Sequence, residues 1–222
     1  MINIAIDGPA GAGKSTLSRL LAKDLGYIYV DTGALYRAVG LKFSRKGFDT
    51  KLEGDIDTVL ENTLVDIRFI DGAQRVFLDG VDVSDEIRTP IASMMASAVS
   101  AKPVVRSFLL DMQRKIANTN NVVMDGRDIG TVVLPNANVK IFLTASVETR
   151  AQRRYKELLE KGEIVTFDEV LQDMIVRDYN DSHREIAPLK QADDAALADT
   201  TTLTFDESLD LLKEIVKKGI KD

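Results

Sequence analysis

The stretch IDGPAGAGKST, residues 6–16, places a glycine-rich loop between two apolar segments. Residues 1–6 are rich in isoleucine and predict a buried strand, whereas apolar residues recur at helical spacing between Leu17 and Leu25. Residues 8–15 match the pattern G-x-x-x-x-G-K-[S/T]. A strand, such a loop and a helix in this order are typical of a phosphate-binding loop in an α/β fold.

The composition of the loop explains why it suits phosphate. Glycines allow successive backbone N–H groups to point at phosphate oxygens, and the helix N-terminus adds its positive dipole. Lys14 can reach the β- and γ-phosphates, and the Ser15 hydroxyl can bind Mg²⁺. We therefore predict that a nucleoside triphosphate tail is bound by Gly8, Pro9, Ala10, Gly11, Ala12, Gly13, Lys14, Ser15 and Thr16.

Composition excludes several other classes of protein. The 222 residues include no cysteine, so disulfides, thiolate nucleophiles and cysteine-ligated zinc are impossible. The net charge of −6 argues against nucleic acid as the main ligand. No apolar run is long enough to span a bilayer, and the first residues do not resemble a signal peptide. We expect a soluble, cytoplasmic protein without a membrane partner.

Further strands are predicted along the chain, with helical patterns between them. Short apolar runs occupy residues 27–30, 121–126 and 139–145, and a last one lies near Ala195. Strands that alternate with helices indicate a parallel sheet covered on both faces. The predicted fold class is therefore α/β, with a parallel sheet flanked by helices.

Residues 63–83 follow a different pattern. Apolar and polar residues alternate in VDIRFI, residues 65–70, and the dipeptides at 71–72 and 79–80 are both Asp-Gly. Alternation interrupted by Asp-Gly turns predicts antiparallel strands. We interpret this segment as a small antiparallel β insertion within the α/β chain.

Other residues distinguish between the classes of phosphate-loop protein. A GTPase is excluded, because no Asn is followed by Lys and no Asp stands three residues before a Gly. An ATPase coupled to a partner remains an alternative, since VVMDG offers Asp125 at a strand end. A kinase that acts on a small molecule is favoured by the number of arginines in an acidic chain. These are Arg37, Arg106, Arg127, Arg150, Arg153, Arg154, Arg177 and Arg184.

Taken together, the motifs of the chain resemble those of the bacterial cytidylate kinase family. Besides the glycine loop, the resemblance rests on DTGALYR (31–37), EIRT (86–89), DGRDIGTVV (125–133), KIFLTAS (140–146), RRYKEL (153–158) and the Arg, Asp and APL residues within 177–189. It implies one phosphate-loop kinase domain over 1–222, a region of 33–118 that binds the nucleoside monophosphate, and a helical lid at 148–180. The antiparallel segment resembles the insertion of the long bacterial enzymes of this family.

The same resemblance implies roles for individual residues. The pyrimidine is expected at Ser97, Arg106 and Asp128, and the sugar at Arg177 and Asp181. The acceptor phosphate is expected at Arg37, Arg127 and Arg184. The hydroxyl of Thr32, where some relatives carry Ser, can donate to a phosphate. Catalytic roles are implied for Lys14, Arg127, Arg153 and Arg154, with Arg153 also at ATP, and Mg²⁺ is expected at Ser15, with Asp31 and Asp125 acting through water.

The implied reaction transfers the γ-phosphoryl group of ATP to CMP or dCMP and yields ADP with CDP or dCDP. A different nucleotide or metabolite kinase, such as an adenylate kinase, is the nearest alternative. The resemblance also points to a monomer. The single histidine, His183, is predicted to be exposed and to have no role, and Met94, Met95 and Val99 are predicted to pack in the core.

Overall fold

The main sheet contains the five strands that the apolar runs predict. A computed structural model describes residues 1–220. In it the sheet is parallel, with the strand order β2-β6-β1-β7-β8. The strands are β1 (Asn3–Asp7), β2 (Ile28–Asp31), β6 (Val122–Gly126), β7 (Val139–Thr144) and β8 (Ala196–Asp199).

Helices occupy most of the chain between the strands. In order they are α1 (Lys14–Leu25), α2 (Thr32–Arg45), α3 (Ile56–Glu61), α4 (Pro90–Ser100), α5 (Pro103–Thr119), α6 (Val147–Glu160), α7 (Phe167–His183) and α8 (Phe205–Gly219). A 3₁₀ turn covers Glu86–Arg88 and a π-helical turn covers Ile129–Val133. Among residues 1–220, no helix combines the length and the apolar character that a membrane span requires.

Alternation along the strands distributes the apolar side chains to both faces of the sheet. Ile4 and Ile6 of β1 pack in one cluster with side chains of α1 and α8. Ala5, between them, packs in a second cluster with Ala117 of α5 and with Ile129 of the π-helical turn. Each face is therefore covered by helices, as predicted for a parallel α/β sheet.

The predicted insertion is a separate antiparallel sheet. It consists of β3 (Val65–Ile70), β4 (Ala73–Leu78) and β5 (Val81–Asp82), in the order β3-β4-β5. Asp71 and Gly72 both have positive φ values, of 52° and 74°, as a two-residue hairpin turn requires. Val76 and Leu78 are buried in a third apolar cluster, together with residues of α2, α4 and α5.

Helices α2 and α4 are in close contact. A Cβ added at Gly40 would lie 2.8 Å from the Cβ of Met95. Met95 and Val99 are buried as predicted, but the core prediction for Met94 is wrong because its side chain is 56% exposed. Met94 is adjacent to Met95 along the helix and therefore lies on a different helical face.

Candidate active site

The glycine loop connects the end of β1 to the start of α1. Gly8 approaches β7 so closely that an added Cβ would lie 1.9 Å from the Leu143 carbonyl oxygen. Gly13 has a φ of 85° and is the N-cap of α1, so the first turn of that helix opens at the loop. The Lys14 Nζ is buried and donates to the Pro9 carbonyl at 2.7 Å. Burial, followed by the nearby Arg127, lowers the pKa of Lys14 well below its usual value.

One cavity of about 280 Å³ joins the glycine loop to the arginine-rich side of the molecule. It brings together most of the residues that the sequence predicts for the site. These are Ala10, Gly11, Ala12, Gly13, Lys14, Ser15, Thr16, Asp31, Thr32, Arg37, Ser97, Arg106, Asp125, Arg127, Asp128, Arg177, Asp181 and Arg184. Gly8, Pro9, Arg153 and Arg154 do not line it.

One end of the cavity is organised around the buried Asp128 carboxylate. Arg106 donates to Asp128 and, at 3.2 Å, to the Ser100 carbonyl. The Nη2 of Arg184 lies 3.5 Å from the other carboxylate oxygen. Tyr36, which sequence analysis missed, places its ring centroid 5.6 Å from the Arg106 guanidinium carbon. This end thus presents a carboxylate, guanidinium donors and an aromatic face in a fixed arrangement.

A second group of arginines lies between that end and the glycine loop. Arg37 pairs with Asp31 at 2.8 Å, and Arg127 pairs with Asp181 at 2.8 Å. Asp181 of α7 thus pairs with Arg127, which follows β6. Burial, followed by the positive charge of Arg127, lowers the pKa of Arg177 to about 10.

Two of these guanidinium groups have spare donors. Within residues 1–220, the buried Nε atoms of Arg37 and Arg177 find no hydrogen-bond acceptor. Buried donors are normally satisfied. Both arginines line the cavity, so each guanidinium can turn its spare donor toward an anion there. A phosphate group would supply acceptor oxygens and negative charge together.

Oxygen atoms suited to a hard cation lie beside the loop. The Ser15 hydroxyl donates to Asp125 at 3.1 Å, and the Tyr29 hydroxyl donates to the other oxygen of Asp125 at 2.8 Å. Burial raises the pKa of Asp125 to about 6, with the nearby Asp31 carboxylate as the second cause. Asp31 also accepts from the Ala34 N–H as the N-cap of α2.

This donor set fits Mg²⁺ better than a metal that needs a complete protein cage. In the described part of the chain no three His, Cys, Asp or Glu side chains converge. Mg²⁺ prefers oxygen, keeps several waters, and is commonly held by one or two carboxylates together with substrate phosphates. The hydroxyl of Ser15 and the carboxylates of Asp31 and Asp125 meet that requirement.

The two arginines predicted for the lid lie outside the cavity. Arg153 donates to the carbonyl of Thr200 at 2.8 Å and lies 3.3 Å from its hydroxyl. Arg154 pairs with Glu157 at 2.8 Å on the surface of α6.

The overall fold has a counterpart among solved structures. An uncharacterized protein from Eubacterium ventriosum superposes with a TM-score of 0.52 at 14% identity, and the match covers 98% of each chain. At this identity the likeness concerns the fold alone.

Sequence comparison assigns the family. The sequence model of the family described as cytidylate kinase matches residues 4–218. The chain belongs to the cytidylate kinase family. A relative from Caldicellulosiruptor bescii that carries the name cytidylate kinase is 52% identical over 221 residues, which is 100% of this chain and 98% of the relative. Another of that name, from Thermosipho africanus, is 50% identical over 218 residues, covering 98% of this chain and 96% of the relative.

Membership of the cytidylate kinase family confirms the resemblance. Two supporting roles in the site, those of Asp7 and Arg150, were not predicted from the sequence. Asp7 is buried and accepts from the backbone N–H groups of Ile129 and Gly130, both at 2.7 Å. It thereby holds the π-helical turn that begins directly after Asp128. Burial raises the pKa of Asp7 to about 6 despite these two hydrogen bonds.

Arg150 is one of the arginines that favour a kinase, but its supporting role was not predicted. It donates to the loop carbonyl of Ala10 at 3.0 Å, to the Ala145 carbonyl at 2.9 Å, and to the Asp178 carboxylate at 2.6 Å. It therefore ties α6 and α7 to the glycine loop. Arg150, Arg153 and Arg154 share one helical face in the sequence, but their guanidinium groups bind different partners in the structure. The spacing therefore did not indicate the contact between Arg150 and the glycine loop. His183 is exposed, as predicted, and its ring stacks on that of Tyr179.

Proposed function

We propose that the protein transfers the γ-phosphoryl group of ATP to CMP or dCMP, yielding ADP and CDP or dCDP. The observation that carries the proposal is one cavity that joins a glycine loop to a buried carboxylate–guanidinium cluster. Relatives named cytidylate kinase, about half identical over the full chain, support the same substrate class.

The base is assigned to the end of the cavity that contains Asp128. The Asp128 carboxylate can accept from the exocyclic amino group of cytosine, and Arg106 can donate toward ring N3 and O2. Ser97 lies at the same wall. Uracil would place a carbonyl oxygen against the carboxylate, so two buried acceptors would face each other without a proton. The arrangement therefore favours cytosine over uracil.

The acceptor phosphate is assigned to Arg37, Arg127 and Arg184, with the sugar at Arg177 and Asp181. Arg37 supports this placement because it lines the cavity, and within residues 1–220 its Nε has no acceptor that would be lost if the guanidinium turned toward a phosphate. Thr32 donates to the Asp125 carbonyl at 2.8 Å, so its hydroxyl would have to turn to reach a phosphate.

The phosphates of ATP are assigned to the glycine loop, residues 8–16, with Lys14 at the transferring group. Lys14 must leave the Pro9 carbonyl to reach a phosphate oxygen. We assign Mg²⁺ to Ser15, with Asp31 and Asp125 acting through water. When bound, the ion neutralises charge on the β- and γ-phosphates.

The chain needs no side-chain nucleophile for this reaction. An oxygen of the CMP phosphate attacks the γ-phosphorus, the bond from that phosphorus to the β–γ bridging oxygen breaks, and ADP leaves. The protein holds the two nucleotides in line and supplies cations where negative charge develops. Lys14 and Arg127 already lie at the cavity, whereas Arg153 and Arg154 must swing toward it from α6.

The substrate assignment is tested by a coupled assay for ADP with ATP and each of CMP, dCMP, UMP, AMP and GMP. We expect ADP formation with CMP and dCMP and little with AMP or GMP. A preference for AMP would favour an adenylate kinase. Hydrolysis that is indifferent to every monophosphate would favour a partner-coupled ATPase. Omission of Mg²⁺ should abolish the CMP-dependent rate.

Other assignments remain predictions from the sequence. We propose that residues 33–118 bind the monophosphate and that the helices within 148–180 act as a lid. A monomer in the cytoplasm that binds neither nucleic acid nor membrane is the expected state, and light scattering would test the monomer.

A further inference from the structure

The antiparallel insertion contacts the main sheet through the side-chain amide of Gln74. The Oε1 of Gln74 accepts from the Asp31 N–H at 2.8 Å. Its Nε2 donates to the Asp31 carbonyl at 3.2 Å. One amide therefore pairs with both backbone groups of a single residue, as a neighbouring strand would.

The position of Asp31 explains why such a partner is available. Asp31 is the last residue of β2, and β2 is an edge strand that, within residues 1–220, pairs only with β6. The outer side of an edge strand has unpaired N–H and C=O groups. Gln74 satisfies them at Asp31, where β2 ends and α2 begins.

Gln74 is also unusual for its place in the hairpin. It shares one face of β4 with Val76 and Leu78, because side chains alternate along a strand. Val76 and Leu78 are buried in the apolar cluster against α2, so the hairpin is firmly packed there. Gln74, at the end of this apolar row, is half-buried and polar. Packing alone would favour an apolar residue, so its two hydrogen bonds are the feature to explain.

The contacts continue from Asp31 to the proposed acceptor site. One oxygen of the Asp31 carboxylate caps α2 through the Ala34 N–H at 3.0 Å, and the other binds Arg37 at 2.8 Å. The orientation of Asp31 therefore fixes where the Arg37 guanidinium lies. Gln74, Asp31 and Arg37 form a continuous path from the hairpin to the cavity.

We propose that Gln74 is a positioning residue of the acceptor site. It holds the backbone of Asp31, and through the Asp31 carboxylate it directs Arg37 toward the acceptor phosphate. The proposal rests on the assignment of Arg37 to that phosphate under the proposed function. It gives the insertion a role in acceptor binding.

The test is Gln74→Met, which preserves side-chain length and removes both hydrogen bonds. We expect the KM for CMP to rise about fivefold to tenfold, as the loss of positioning hydrogen bonds would cause. The KM for ATP should rise less, because Asp31 is assigned to Mg²⁺ only through water. Gln74→Asn, which is too short to reach Asp31 from the same backbone, should give the same pattern if the Met variant folds poorly. The matched control is Arg75→Met on the opposite face of β4, which breaks pairs with Asp82 and Asp85 and should leave both KM values unchanged.

A double-mutant cycle separates positioning from simple stabilisation. If Gln74 acts through Arg37, Gln74→Met should raise the KM for CMP no further in an Arg37→Ala background. Three results would each overturn the role of Gln74. The effects of Gln74→Met and Arg37→Ala on the KM for CMP could multiply, Gln74→Met could leave that KM at the wild-type value, or it could raise the KM values for CMP and ATP equally. If Arg37→Ala itself leaves the KM for CMP unchanged, the acceptor assignment fails instead, and the proposal for Gln74 fails with it.

Discussion

The acceptor side and the lid side of the cavity differ in how far their arginines are already in place. On the acceptor side, Arg37, Arg106 and Arg127 line the cavity and are each held by a carboxylate. On the lid side, Arg153 and Arg154 are held outside the cavity by Thr200 and by Glu157. Under the proposed function, one half of the site is thus organised before a ligand binds, and the other must rearrange.

The difference has a simple energetic basis. The buried pair of Arg106 and Asp128 is costly to break, because a partner left alone would be an uncompensated buried charge. The exposed pair of Arg154 and Glu157 contributes about 1 kcal/mol or less, so little is lost when Arg154 leaves it. We therefore expect changes on the acceptor side to affect CMP binding and changes on the lid side to affect turnover.

The largest expected effect belongs to the lysine of the glycine loop. We expect Lys14→Ala to lower kcat by about 10³-fold or more, because a cation at the transferring phosphoryl group is lost. Steady-state kinetics at saturating ATP and CMP measure this change. The Kd for CMP should stay at the wild-type value in the same variant, and a variant that retains most of its turnover would refute the role.

The next effect distinguishes the lid side. We expect Arg154→Ala to lower kcat by about 100-fold while the KM for CMP stays unchanged, because Arg154 would act only on the transferring group. Lys156→Ala removes a cation from an exposed position of the same helix and serves as the control. A rise in the KM for CMP with normal kcat would place Arg154 on the acceptor side instead.

A smaller effect tests the base reader on the acceptor side. We expect Asp128→Asn to reduce the ratio of kcat/KM for CMP over UMP by about tenfold, because the amide can donate to the uracil carbonyl. The ratio is the useful measure, since partial loss of folded protein lowers both values equally. An unchanged ratio would contradict the assignment of Asp128.

The smallest effect concerns the support beneath Asp128. The pKa of Asp7 is raised to about 6 from an ordinary value of 3.8, so the folded state binds the proton more tightly than the unfolded state. Asp7 therefore contributes increasing stability as the pH falls through 6. Between pH 7.5 and 5.5 the wild type should gain about 0.8 kcal/mol of unfolding free energy relative to Asp7→Asn.

Chemical denaturation at the two pH values measures that gain. Asp125, whose pKa is also raised to about 6, is present in both proteins, so its contribution cancels in the comparison. Parallel stability curves for the wild type and the Asp7→Asn variant would contradict the burial cost assigned to Asp7.

Sequence predicted the locally encoded parts of the molecule. The glycine loop and the Asp-Gly turns depend on residues a few positions apart, so their patterns are visible in one dimension. The apolar runs likewise predicted all five strands of the main sheet.

Contacts between distant segments could not be predicted in this way. Asp7 and Gly130 are 123 residues apart, and Arg150 and Ala10 are 140 apart. Only the fold brings such residues together. Gln74 and Asp31, 43 residues apart, meet because the insertion folds back on the edge of the sheet, and no local pattern marks that contact.

The most direct test of the contrast between the two sides is calorimetric titration of CMP in the absence of ATP. It compares the wild type with the Arg153→Ala/Arg154→Ala double variant and with Arg37→Ala. If the acceptor side is organised in advance, the lid double variant binds CMP with the wild-type Kd and only Arg37→Ala binds it more weakly. If the lid double variant loses as much affinity for CMP as Arg37→Ala, the separation of the two sides is wrong.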